Sequence, residues 1–193
     1  MNFYDQPENV DKYIEMCEGY DGTHLYQLLA EHLKQGQSLL EIGCGAGTDI
    51  GELKKHYRVI GSDRSIEFIK RCKLKHPEID FLQLNAIDIA LDAQVDCIYS
   101  NKVLHHLKET ELKQSLKRQS ELLKSNGLIA HSFWLGEGSE TIDGMFFQYY
   151  AKHEIIKLLS QYFEVIESYC YQEFDKDDSI FIIARKKYID SIL

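Results

Sequence analysis

Between Leu39 and Ile50 the chain reads LLEIGCGAGTDI, and this stretch restricts what the protein can fold into more than any other. Leu39, Leu40 and Ile42 form a short apolar run of buried-strand character, and Gly43, Gly45 and Gly47 follow at every second position. Glycines so spaced remove Cβ atoms from a tight turn, so the backbone can pass close to a ligand and take conformations other residues avoid. Thr48, or the turn before it, is placed to cap a following helix. Asp49 falls in the first turn of that helix, where a carboxylate suits the dipole and opposes a phosphate. The expected unit is a strand, a ligand-facing loop and a helix.

The rest of the chain repeats this alternation. Ile50, Leu53 and His56 mark the first crossover helix, and residues 57–62 read as a second strand closed by Asp63. An acid at that strand end, 20 residues after Gly43, can accept hydrogen bonds from both hydroxyls of a ribose. The same acid could instead cap the helix from about Ser65 to Lys75, which Pro77 ends. Residues 79–84 alternate as a third strand, 95–100 read as a fourth, and 128–134 as a fifth. The helix striped by Leu112, Leu116, Gln119 and Leu123 stands between the last two, with Asn126-Gly127 as its cap. Five βα units in about 100 residues predict a parallel sheet with helices on both faces. The helix 153–161 and the strands 163–170 and 179–184 complete the chain, the last two joined by the acidic turn 173–178. That turn lacks the glycine and terminal glutamate of a calcium loop and reads as a solvated hairpin.

Ahead of the first strand, Val10, Tyr13, Ile14 and Cys17 predict one amphipathic helix, and Leu25, Leu28, Leu29 and His32 a second, capped by Thr23 and closed by Gly36. Between 136 and 151 the pattern breaks into a polar, glycine-bearing stretch ending in Phe146, Phe147, Tyr149 and Tyr150.

Glu41 to Gly47, E-I-G-C-G-A-G, resembles the first motif of class I S-adenosylmethionine-dependent methyltransferases. The rival dinucleotide fingerprint G-x-G-x-x-G would place its third glycine at 48, where Thr48 stands. A second likeness is V-L-H-H-L at 103–107, after the fourth strand. The resemblance implies a Rossmann-like, doubly wound sheet of seven strands, mostly parallel, with the last strand antiparallel. It also implies S-adenosylmethionine as cofactor, with S-adenosylhomocysteine as its product.

In the family's terms Glu41 holds the loop and the methionine ammonium, and the backbone of Gly43, Cys44, Gly45 and Gly47 approaches the cofactor. Asp63 and its neighbour Arg64 meet the ribose, Asn85 and Ala86 the adenine, and Ser100 and Asn101 the methionine portion. Asn85 stands where the family usually has an acid, and its amide oxygen can accept from the exocyclic amine. His105, His106, Trp134, Phe147 and Tyr150 are expected on the substrate side. His106 is the candidate general base, since an imidazole titrates near neutrality. Residues 1–36 are expected as a helical cover, with Tyr4, Tyr13 and Tyr20 as cover residues or as packing, and 136–151 as a substrate lid.

Composition narrows the partners. A chain of 193 residues with 44% hydrophobic content suits one domain. Its charge of -9, from 31 acids against 22 bases, repels a phosphate backbone, so long nucleic acid is not expected. The basic stretch Lys70 to His76 reads as a solvated helix face. No apolar run approaches the roughly 18 residues of a membrane span, and no targeting signal is visible, so the expectation is cytoplasmic. Cys17, Cys44, Cys72, Cys97 and Cys170 are scattered and read as reduced thiols, Cys44 included. No metal site is expected, because adjacent His105 and His106 should not face one ion. The expected function is methyl transfer to an O, N, S or C atom of a small molecule. An NAD-linked oxidoreductase and a catalytically silent cofactor-binding subunit are the alternatives.

Overall fold

A computed structural model describes residues 3–188. Its centre is a seven-stranded sheet of order β3-β2-β1-β4-β5-β9-β8. The strands are β1 (Ser38–Ile42), β2 (Arg58–Asp63), β3 (Asp80–Gln83), β4 (Val95–Asn101), β5 (Leu123–Trp134), β8 (Phe163–Tyr171) and β9 (Ser179–Lys186). Pairing from β3 through β5 is parallel, and β9 inserts antiparallel between β5 and β8. The expected mostly parallel sheet with an antiparallel last strand is therefore present. A separate hairpin, β6 (Ser139–Ile142) with β7 (Met145–Gln148), turns on Asp143 and Gly144, both at positive φ. That pair suits a two-residue turn whose twist matches the strands.

Strand alternation divides the core in two. Leu40, Ile42, Ile98, Ile129 and Ile182 face α5 (Glu109–Leu122) and α6 (Lys152–Leu159). Leu39, Cys97, Tyr99, Ala130 and Ile183 face α2 (Thr23–His32), α3 (Thr48–Leu53) and α4 (Ile66–Lys75). A sheet buried on both faces needs near-continuous apolar strands, and β4 and β9 have them. The helix α1 (Pro7–Met16) lies over the carboxyl end of β2, where Tyr4, Tyr13 and Phe68 form an aromatic cluster. Among the described residues no helix is long and apolar enough to cross a membrane, and all five cysteines are free.

One of the five expected βα units lacks its helix, since residues 84–94 join β3 to β4 as a turn, and three local expectations are corrected as well. Thr23 is already inside α2, and the Asp21 carboxylate accepts its backbone N–H at 2.9 Å instead. His56 lies beyond α3, which tightens after Leu53 into the turn that feeds β2. Asn126-Gly127 does not close α5. That helix stops at Leu122 because Leu123 turns extended to pair with Val95, leaving Asn126 at φ 63 inside an irregular β5.

Candidate functional site

The glycine loop leaves β1 at the carboxyl edge of the sheet, where open α/β folds bind ligands. Gly43 has φ 70, and a Cβ built there would lie 2.5 Å from Val103 Cγ2. Gly45 has φ 47, and its Cβ would lie 3.2 Å from the Tyr13 ring. These two positions are closed to side chains by conformation and by neighbours alike. Cys44 is buried, its N–H donates to the Ser62 carbonyl at 2.8 Å, and a hydrogen bond with Cys72 together with burial pushes its thiol well up. It is therefore no nucleophile.

Three carboxyl groups converge on this loop. Glu41 is 2% exposed and its Oε2 has no hydrogen-bond partner. Burial, and then the nearby Asp49 charge, pushes its pKa well above the carboxylate range. Asp49 is itself buried and accepts from the Tyr26 hydroxyl and from Asn101 Nδ2, the latter at 3.1 Å. Burial raises its pKa against those hydrogen bonds. Asp63 accepts from the Gly45 N–H at 3.0 Å and the Ser65 N–H at 2.8 Å, so it braces the loop while Ser65 caps α4. Burial raises its pKa too.

Beyond β4, Asn101 donates to the Tyr20 hydroxyl at 2.7 Å and accepts from Ser132 Oγ at 2.5 Å. Lys102, at φ 54, is folded back: its Nζ sits 3.1 Å from the Trp134 ring centroid, donates to Ser179 Oγ at 2.6 Å and pairs with Glu173 at 3.1 Å. Burial lowers its pKa to about 8, with Glu173 opposing. Leu104–His106 is a single 3-10 turn. The His105 and His106 rings lie side by side with centroids 4.0 Å apart, contrary to the expected divergence, because Phe147 of the hairpin packs against both. Among the described residues no group of three or more His, Cys, Asp or Glu is arranged to hold a metal.

Residues 39–127 match the methyltransferase domain family. That segment is a methyltransferase domain. An uncharacterised methyltransferase of Oceanobacillus iheyensis is 30% identical over 132 residues, 67% of this chain and 60% of that protein. A trans-aconitate 2-methyltransferase of an Enterobacter species is 30% identical over 95 residues, 48% of this chain and 37% of that protein. The chain spans 38% and 60% of the first two curated relatives it matches. Among solved structures, 1,6-didemethyltoxoflavin-N1-methyltransferase of Burkholderia thailandensis superposes with TM-score 0.79 at 19% identity, covering 92% of this chain and 83% of that one. The N-methyltransferase NodS of Bradyrhizobium japonicum gives 0.74 at 16%, covering 97% and 100%. At such identities the likeness is one of fold.

Within this methyltransferase domain the matched segment carries the glycine loop, Asp63 and the histidine turn, and it stops before the hairpin. Asn85 is exposed, and its Oδ1 accepts the Ile87 N–H at 3.0 Å, so the amide oxygen already serves the turn after β3. Ala86 gives its carbonyl to Ser115 Oγ at 2.6 Å. Arg64 is exposed beside Asp63, and its carbonyl accepts from Gln83 Nε2 at 3.0 Å. Ser100 is fully buried and hydrogen-bonds His131 at 2.8 Å, so its hydroxyl faces the core. Tyr150 is placed in the core against Phe133 rather than on the cleft, because its backbone bridges Leu135 and turns the ring under the sheet. Trp134 is in contact with Lys102 and stacks on Phe174 at 5.6 Å.

Asp49, Tyr26 and Lys102 were not legible as site residues. Asp49 read as a helix-dipole acid, Tyr26 lies off the apolar stripe of α2, and a lysine after a strand reads as surface. The run of alternatives closes only when α2, β4 and the glycine loop are brought together.

Proposed function

We propose that the protein transfers a methyl group from S-adenosylmethionine to a small-molecule acceptor. The observation that supports this most is the buried Glu41 carboxyl beside Asp49, whose Oε2 has no hydrogen-bond partner. A buried carboxyl without a partner is costly unless a cation joins it. A ligand bearing an ammonium and a sulfonium fits that demand. A dinucleotide would bring its pyrophosphate to the N-terminus of α3, where Asp49 opposes it. Asp63 keeps acceptor capacity beyond its backbone bonds for ribose hydroxyls.

When bound, the sulfonium supplies the methyl group with a good leaving group already attached. The chain's task is then alignment, which is worth roughly 7 to 11 kcal/mol of barrier, and removal of a proton where the acceptor carries one. His106 Nδ1 lies 2.8 Å from the Phe146 carbonyl, which can only accept, so Nδ1 carries the proton and Nε2 is bare. Burial lowers the His106 pKa despite that bond, which keeps Nε2 unprotonated at neutral pH. His106 is thus assigned as the base, the neighbouring His105 and Phe147 as walls of the acceptor site, and Trp134 as its far boundary. The cytoplasm is the proposed location, and a small molecule rather than nucleic acid the proposed partner.

Calorimetry with S-adenosylmethionine, S-adenosylhomocysteine and NAD tests the cofactor. Saturable binding of the two sulfur nucleosides, and none of NAD, is expected; the reverse result sinks the reading. Transfer of a labelled methyl group to a component of a metabolite extract then separates an active enzyme from a silent binding protein.

Asp63→Ala should leave the domain folded and weaken cofactor binding roughly 10- to 100-fold, since hydrogen bonds to a charged acceptor are worth about 1.5 to 3 kcal/mol. Unchanged affinity would reduce Asp63 to a brace for the loop.

Residues 136–151 are proposed as a lid. The strand β6 is exposed throughout, and the hairpin meets the rest of the site chiefly through Phe146 and Phe147 on the histidine turn. Amide hydrogen exchange there should slow when cofactor and acceptor are both bound. Equal protection in the free and bound protein would count against closure.

A further inference from the structure

A line of buried polar groups runs through the domain with no part in the chemistry above. Ser100, Ser115, Gln119 and His131 are each 0% exposed. Ser115 Oγ lies 2.6 Å from the Ala86 carbonyl, which can only accept, so Ser115 donates there. Its oxygen accepts from Gln119 Nε2 at 3.1 Å. Gln119 Oε1 then faces His131 Nε2 at 2.8 Å, so that nitrogen carries the imidazole proton. His131 Nδ1 is left bare and accepts from Ser100 Oγ at 2.8 Å. Each link joins one donor to one acceptor, and the direction is fixed from β4 through β5 and α5 to the turn after β3. A buried polar network is retained at a cost unless its members are satisfied, and here each of these side-chain oxygens and nitrogens has a partner.

The network ends on one peptide plane. The Ala86 carbonyl is held by Ser115, and the N–H of the same peptide, on Ile87, is held by Asn85 Oδ1 at 3.0 Å. Three residues on, Ile89 is buried at φ 34, a conformation that a β-branched residue holds only when its surroundings impose it. Arg118, also on α5, supplies the constraint by donating to the carbonyls of Ile89 at 3.2 Å and Leu91 at 2.9 Å. One helix therefore clamps the turn 85–91 at three carbonyls.

This turn borders the nucleoside site: the Leu84 N–H donates to the Asp63 carbonyl at 3.0 Å. With ribose at Asp63 and the cationic end directed to Glu41 and Asp49 on the β1 side, the base must extend the other way, over β3. We propose that Ser115, braced through Gln119 and His131 to Ser100, is a positioning residue that fixes the Ala86–Ile87 peptide and so sets the turn's discrimination of the nucleobase. This rests on the cofactor reading given above.

The experiment compares S-adenosylhomocysteine with S-inosylhomocysteine, whose base inverts donor and acceptor on the edge that a backbone turn would read. The unaltered protein should bind the adenine compound about tenfold more tightly or better, the cost of one mismatched hydrogen bond. Ser115→Ala should lose about tenfold for the adenine compound and little for the inosine compound, so that the ratio collapses towards one. A preserved ratio overturns the proposal, and so does an equal loss for both compounds, which marks general loosening. Binding of neither compound by the unaltered protein overturns the cofactor reading as well, which distinguishes the two failures. Should Ser115→Ala fail to fold, nitrogen chemical shifts of His131 in the unaltered protein give a second reading. A neutral ring with its proton on Nε2 from pH 5 to 9 sustains the directed chain, and a proton on Nδ1, or titration within that range, breaks it.

Discussion

Gly43→Ala should abolish detectable cofactor binding while leaving a folded domain. Two costs fall on the same atom. An alanine at φ 70 carries the left-handed penalty of about 1 to 2 kcal/mol. Its Cβ would also stand 2.5 Å from one Val103 methyl and 2.6 Å from the other, so the segment that carries Lys102 to His106 must move away from the loop. Val103 is partly exposed and can yield, which is why unfolding is not expected. The displaced segment closes the approach of the ligand to the backbone and shifts the histidine turn. A loss of at least 100-fold in affinity by calorimetry is expected, with a thermal midpoint only a few degrees lower. Affinity within tenfold of the parent would mean that the ligand does not contact this loop.

His106→Ala should lower turnover by about 10² to 10⁴ for a hydroxyl or thiol acceptor, with cofactor affinity nearly unchanged. The geometry separates it from its neighbour. His106 has one nitrogen committed to the Phe146 carbonyl and the other bare, whereas both nitrogens of the buried His105 lack partners and burial pushes its pKa well below the usual range. His105→Ala should therefore act mainly by loosening the stack with Phe147, with a smaller effect on rate. The pH dependence carries a sign. Because burial lowers the His106 pKa, its base form persists below the ordinary imidazole pKa of about 6.5, and the rate should fall only at pH values under that. A rate limb at or above pH 7, or an unaltered rate in His106→Ala, would remove His106 as the base and leave alignment as the whole of catalysis. A matching loss of cofactor binding would make it a support for the loop.

Much of the architecture was legible in one dimension because it follows from short-range rules. The apolar runs at β1, β4 and β9 need burial on two faces, and the crossover helices after β1, β2 and β4 go with parallel pairing from β3 through β5, while β9 joins antiparallel. The glycines at 43 and 45 announced a backbone that no side chain can share, and their positive φ values are the structural form of that statement. Where competing local signals were close in energy, the sequence misled. Asn126-Gly127 carries the local mark of a helix end, yet pairing of Leu123 with Val95 outweighs it. Tyr150 reads as a cavity aromatic beside Phe147, but one strand bridge turns it into the core.

The sequence by itself determined the βα alternation, the loop at Leu39–Ile50 and the class of ligand that such a loop can approach, since each depends on residues close along the chain. Only the tertiary structure decided which charges share the cleft. Glu41, Asp49, Tyr26 and Asn101 come from four separate elements, and packing sets the two buried acids beside each other with the hydroxyl and the amide that hydrogen-bond Asp49. The same holds for Ser100, Gln119 and His131, whose hydrogen bonds exist because β4, β5 and α5 pack at one depth. Desolvation and hydrogen-bond geometry depend on what surrounds an atom in space, and that is fixed only when the sheet and its helices have closed around it.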